Sequence, residues 1–331
     1  MLVLVGDASL ARDVATCMRR AVAGRWHGLT SLEESRYLLS GRAVHAGLAT
    51  YLRAAGYGDV AEAMDVIEAM YGWFGSDPAR VEPDDRLSWA NVKRVVQAWF
   101  EKHPVPVLPF ETRAVEEPFA LPIANGVVYV GRIDGDVVDK ATRTPYVLEH
   151  KTTGRVDKAW FRQFDNDAQN SLYLWAKEQI SGDLYTGIFL NAIELSWAPT
   201  SDMKCKTHGV KYSECGALHP NHAMRPVART PDEVESAKRD FVALMNRFWD
   251  VIEQYPELED LPNVPAEGRF HGACSFCTFR EWCAVGAKPE AIPGHLREEV
   301  FEPFAGVQPG RFQELNDVVN AVAGSGMAKS G

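Results

Sequence analysis

The sequence predicts a three-layer α/β/α fold around a mixed sheet, and three observations carry that prediction. Apolar residues recur at three- and four-residue spacing through the first hundred positions, β-like segments then gather between about 110 and 151, and a strand, helix, strand order follows to Trp197. At 331 residues, with 46% of them hydrophobic, the chain is long enough to bury a substantial core.

From Ser9 to about Phe100, the stretches DVATCMRRAV, SGRAVHAGLATYL and NVKRVVQAWF keep the helical period. The prolines of HPVPVLPF, between 104 and 109, end that run. Strands are expected next, at roughly 110–120, 127–134, 136–139 and 146–151. Trp160 to about Ser181 is helical again, and YTGIFLNAIELSW is a strand by its β-branched and aromatic content. Thr230, Pro231 and Glu233 supply an N-cap, a first-turn proline and a capping-box acid. Val234, Ala237, Phe241, Leu244, Phe248 and Ile252 form the apolar face of the helix they start. Residues 254–272 are proline-rich, and a cysteine cluster and the tail AVAGSGMAKSG follow. With no internal repeat and no long linker, one integrated domain is expected: a helical N-terminal part over 1–105, a core over 106–255 and a C-terminal attachment over 256–331.

Forty-five acidic residues against 35 basic ones give a formal charge of -10, which argues against coating nucleic acid or anionic membrane by bulk attraction. Contacts to DNA then come from local clusters; Arg19, Arg20, Arg25, Lys93, Arg94, Arg155 and Lys158 are candidates, or simply solvated basic faces. MLVLV is too short for a membrane span and lacks a basic region before it, so a cytoplasmic protein with no membrane partner is expected.

The segments VVYVGRID and PYVLEHK each end on charged residues where a buried sheet would continue apolar. Strand alternation puts Glu149 and Lys151 on one face and His150 on the other. A hairpin closing across GDVVDKATRTP brings Asp134 towards Glu149, leaving Asp136 and Asp139 as ordinary hairpin acids. Two carboxylates in one place repel unless a cation joins them, and hard oxygen ligands suit Mg²⁺ or Mn²⁺. With Lys151 beside them, the set points to metal-assisted phosphodiester hydrolysis; the plainer reading is a surface ion pair by a turn.

The six cysteines fall at 17, 205, 215, 274, 277 and 283. Clustered cysteines in an intracellular chain suggest metal ligation more than disulfides. Cys274, Cys277 and Cys283 form C-x2-C-x5-C, three thiolates where a tetrahedral site or a cubane needs four, and Cys17 is the best candidate for the fourth. Cys205, His208, Cys215 and His219 have spacing for a separate zinc ion. Trp160, Phe161 and Phe164 suit core packing or, less simply, stacking on single-stranded bases.

Asp134 followed by Glu149-His150-Lys151 resembles the acid, variable hairpin, acid-x-lysine signature of the PD-(D/E)XK nucleases. Gln169 and Tyr173 in AQNSLYLWA look like the Q-x3-Y element of the RecB-type branch, and His45 in SGRAVHAGL is similar to that branch's upstream histidine. The one-plus-three cysteine pattern resembles the iron-sulfur staple of RecB-type exonucleases, including Cas-four, AddB-type and exonuclease V-type nucleases. The resemblance spans roughly residues 9 to 285, through short motifs in the expected order.

It implies a restriction-endonuclease-like core and a Mg²⁺- or Mn²⁺-dependent DNA exonuclease acting on single strands or ends, in recombination, repair, phage DNA metabolism or CRISPR-linked processing. The implied metal ligands are His45, Asp134, Glu149 and the His150 main-chain carbonyl. Lys151 is the implied catalytic lysine, and Gln169 and Tyr173 join the active site. A [4Fe-4S] cluster on Cys17, Cys274, Cys277 and Cys283 is implied, with zinc as the alternative, as are recombination, helicase or CRISPR-adaptation protein partners. A structure-specific endonuclease and a non-catalytic DNA-binding or assembly subunit stay open. No G-x4-GK[ST] loop makes this chain a motor.

Overall fold

The computed structural model describes residues 4–31, 35–53, 58–73, 86–195, 201–205, 209–215 and 222–298. The elements in chain order are β1 (Leu4–Gly6), α1 (Ala8–Thr16), α2 (Met18–Ala21), β2 (Leu29–Ser31), α3 (Arg36–Arg53), α4 (Val60–Trp73), α5 (Trp89–Lys102), β3 (Phe110–Ala124), β4 (Val127–Asp139) and β5 (Pro145–Thr153). They continue with α6 (Lys158–Arg162), α7 (Ala168–Ser181), β6 (Gly187–Glu194), α8 (Tyr212–Cys215), β7 (His222–Ala228), α9 (Pro231–Gln254), α10 (Arg280–Ala284) and β8 (Leu296–Glu298). Side-chain caps start several of the helices: Asp7 accepts from Leu10 N, Ser88 from Asn91 N and Asp167 from Asn170 N. The capping box before α9 forms as its sequence predicts, Glu233 accepting from Thr230 N while Thr230 Oγ1 accepts from Glu233 N.

The chain folds as two compact units that interleave in sequence, one made of residues 1–33, 118–132 and 234–331, the other of 34–117 and 133–233. In the first, β1 pairs in parallel with the start of β4, Leu4 opposite Val127 and Gly6 opposite Tyr129. Helix α9 buries Val234, Ala237, Phe241, Met245, Phe248 and Ile252, and the Phe241 ring lies 4.9 Å from that of Tyr129. Met245 replaces the expected Leu244 on this face, because a strict 3.6 period carries the stripe from Phe241 to Met245 and on to Phe248. Arg19 is buried and donates to the carbonyls of Val264 and Pro262, which fastens α2 to the turn over 258–264 and removes this arginine from the candidate phosphate contacts.

In the second unit, β4 and β5 form an antiparallel hairpin, β5 and β6 run parallel, β6 and β7 are antiparallel, and β3 also pairs with β4. The parallel pair needs a crossover, which α6 and α7 supply. Alternation splits β6 between two cores. Phe189 and Ile193 pack with Val44, Leu48, Val92, Val96 and Trp99 of α3 and α5, while Leu190 and Ala192 pack with Phe161 and Phe164. Phe161 and Phe164 therefore serve the core, and the three-layer α/β/α arrangement with a mixed sheet is present. The two segments expected at 127–134 and 136–139 are one unbroken strand, and the hairpin turns at 140–144, where Asp139 accepts from Ala141 N and Thr142 N.

Candidate active site

The last ladder pairs of the hairpin run from Val138 opposite Pro145 to Gly135 opposite Leu148. One register step further, Asp134 and Glu149 face each other. There the strands part, and the Asp134 side chain takes the place of a ladder carbonyl by accepting from His150 N at 2.7 Å. Gly135 leaves little room at this point, since a Cβ would lie 3.1 Å from the Leu148 side chain and 3.3 Å from the Ala114 carbonyl. The register thus brings Asp134 and Glu149 to opposed positions on neighbouring strands.

Alternation along β5 works as expected. Glu149 and Lys151 share a face and form a charge-assisted hydrogen bond, Lys151 Nζ donating to Glu149 Oε1. Glu149 is only 2% exposed, and its Oε2 is buried without a hydrogen-bond partner. His150 turns its ring the other way, where Asn191 Nδ2 donates to His150 Nδ1 at 2.8 Å and Trp99 Nε1 donates to Asn191 Oδ1 at 3.2 Å. From α3, His45 brings Nδ1 to 3.3 Å from Asp134 Oδ1, its ring edge-on to that of His150.

The charges settle unequally. Burial pushes the Glu149 carboxyl up to about 7 against the pull of Lys151, and the Asp134 charge adds to the rise. Burial also acts on Asp134, but the His45 and Lys151 charges and the His45 hydrogen bond outweigh it and hold this carboxyl well below the usual range. Burial lowers His45, and Asp134 more than restores it, so the imidazole is raised. Burial keeps His150 neutral, at about 3. Lys151 is raised, since Glu149 overcomes the burial that would discharge it.

His45, Asp134 and Glu116 each offer a ligand atom within 4.8 Å of the others. Hard oxygens with one imidazole, next to a buried carboxylate oxygen lacking a partner, fit a divalent cation of the Mg²⁺ or Mn²⁺ kind. Glu116 escaped the sequence reading. Its one signal there is a pair of adjacent acids, Glu116-Glu117, within a strand-forming run.

The sequence profile of the PD-(D/E)XK nuclease superfamily matches residues 8–284. The chain belongs to the PD-(D/E)XK nuclease superfamily. Membership implies metal-dependent nuclease activity, with DNA as substrate, and the mixed sheet agrees with the superfamily's restriction-endonuclease-like fold. No curated protein matches the chain. Among solved structures, that of SSO0001 is 14% identical, covering 84% of this chain and 95% of its own, with a TM-score of 0.28 that is too low for residue correspondences.

The remaining candidates of this superfamily member sort by position. Gln169 and Tyr173 are half-buried on α7, one turn apart on the side that also carries Lys177. Asp136 is no ordinary hairpin acid: it is 4% exposed and pairs with Lys177 at 3.1 Å. Cys17, Cys274, Cys277 and Cys283 line one cavity of about 330 Å³ with Arg19, Arg20 and Arg269. No three of their sulfurs lie within 4.8 Å of one another, so they do not converge on a single ion as the zinc alternative requires, and no cluster-binding arrangement is shown. Cys205 is buried and Cys215 lies on α8, while His208 and His219 are outside the described residues. Arg20 pairs with Asp13, Arg25 with Asp7 and Asp13, and Arg155 with Asp157, which occupies much of the local basic charge. Among the described residues no helix is long and apolar enough to cross a membrane.

Proposed function

We propose that this chain is a Mg²⁺- or Mn²⁺-dependent DNA exonuclease that acts on single strands or ends. The observation that carries the reading is the Asp134 carboxylate, locked by His150 N and His45 beside the Glu149–Lys151 pair. Asp134, Glu116 and His45 would hold the cation, with Glu149 completing the oxygen set once its proton is gone. When bound, that cation lowers the pKa of a water and offsets charge on the scissile phosphate. Lys151 stays protonated and donates to the attacking water or to a phosphate oxygen as negative charge develops. Gln169 and Tyr173, on the helix that follows the Glu149 strand, orient the DNA strand, as the resemblance to the RecB-type Q-x3-Y element suggests.

End-labelled linear single- and double-stranded DNA and a single-stranded circle, each incubated with Mn²⁺, test this reading. Loss of the linear strands with the circle intact supports an exonuclease. Cutting of the circle replaces it with an endonuclease.

A second reading concerns the cysteines. It rests on the resemblance of the one-plus-three cysteine set to an iron-sulfur staple; the four cysteines line one cavity with three arginines, whose charge would offset an anionic thiolate-ligated centre. Burial raises the Cys277 and Cys283 thiols, so assembly of the cluster would release protons.

A further inference from the structure

Glu116 and Glu117 are consecutive strand residues, yet the first groups with Asp134 and the second, through Lys177, with Asp136, two acids of one strand. Glu117 pairs with Lys177 of α7, which also holds Asp136 at 3.1 Å, and Glu116 joins His45 and Asp134. Asp134 and Asp136 stand two apart on β4 and so share a face by alternation. Neighbouring residues of an extended strand cannot do this, because their side chains point to opposite faces. The backbone resolves the conflict at Glu116, whose φ is 52°, the left-handed conformation that a glutamate rarely adopts and that bulged strand residues use.

Something must hold that conformation against relaxation to an extended strand, and the buried ion pairs next to it are placed to do so. Lys177 is 3% exposed and lies between a carboxylate of β3 and a carboxylate of β4. With Glu117 fastened to the α7 side, an extended Glu116 would have to face away from Asp134. We propose that Lys177 is a positioning residue: through Glu117 and Asp136 it fixes the bulge at Glu116 and so turns Glu116 towards His45 and Asp134 as a third metal-binding side chain. This rests on the metal-dependent nuclease reading of the same site. Partners of this indirect kind commonly change metal affinity by about 10–100-fold when lost.

The test is calorimetric titration of Mn²⁺ into the wild-type chain, Glu116→Gln, Lys177→Met and the double variant, without DNA. Lys177→Met should weaken Mn²⁺ binding by about tenfold or more. In the Glu116→Gln background the same change should add no more than about twofold, because the side chain it positions is already gone. Lys177→Met that binds Mn²⁺ like wild type, or that weakens binding equally in both backgrounds, overturns the proposal. If circular dichroism shows Lys177→Met unfolded, Glu117→Gln breaks the same link and carries the same two expectations. A wild-type chain that binds no Mn²⁺ overturns the metal site itself, an outcome distinct from intact wild-type binding that ignores Lys177.

Discussion

The His150 main-chain N–H donates to Asp134 Oδ2 at 2.7 Å, one register step beyond the last β4–β5 ladder pair. A side chain has taken the place of a backbone acceptor, so the strands can part around a carboxylate without orphaning a buried donor. Asp134→Asn keeps an oxygen for that N–H and removes the charge. Because the lost charge is held by His45 and Lys151, urea unfolding should show a loss of about 1.5–3 kcal/mol. Mn²⁺ affinity, followed by calorimetry, should fall by at least roughly 100-fold, beyond what loss of an indirect partner costs.

Glu149 sets the pH dependence. Its folded carboxyl titrates at about 7, above the ordinary 4.5, so between these values the metal-free folded chain holds the extra proton. This group's contribution to stability therefore declines as pH rises from about 4.5 to 7. A cation must displace the same proton, so Mn²⁺ binding should weaken as pH falls below about 7. Calorimetry in buffers of different ionisation enthalpy should show close to two protons released at about pH 6, one from Glu149 and one from the raised His45 imidazole, and fewer at about pH 8.

Trp99, Asn191 and His150 form a buried relay that fixes the His150 ring. Asn191→Leu leaves an indole N–H and a ring nitrogen without partners, and should cost about 2 kcal/mol of stability by urea unfolding.

If the cysteine cavity holds an iron-sulfur cluster, anaerobically purified chain is brown and contains iron, and Cys17→Ser or Cys277→Ser loses most of both. Colourless wild-type protein without iron contradicts the cluster.

The fold was largely legible because period and punctuation report it. The 3.6-residue stripes give the helices, and Thr230 with Glu233 marks the start of α9. Asp134, Glu149 and Lys151 were legible because charges at the ends of apolar strands stand out. Glu116, Asp136 and Lys177 are not, since their placement depends on a positive-φ strand residue and on ion pairs between β3, β4 and α7, neither of which leaves a spacing pattern. Asp136 passed for a turn acid because the strand break expected after Asp134 does not exist.

The most direct test of a metal-dependent nuclease built on Asp134 and Lys151 is release of label from end-labelled DNA with Mn²⁺, comparing wild type, Asp134→Ala and Lys151→Ala, each also with EDTA. Cutting by wild type that EDTA stops, and that Lys151→Ala lowers by about 10²–10³-fold, is the predicted result, with Asp134→Ala at background. Equal cutting by all three proteins, or cutting that survives EDTA, contradicts it.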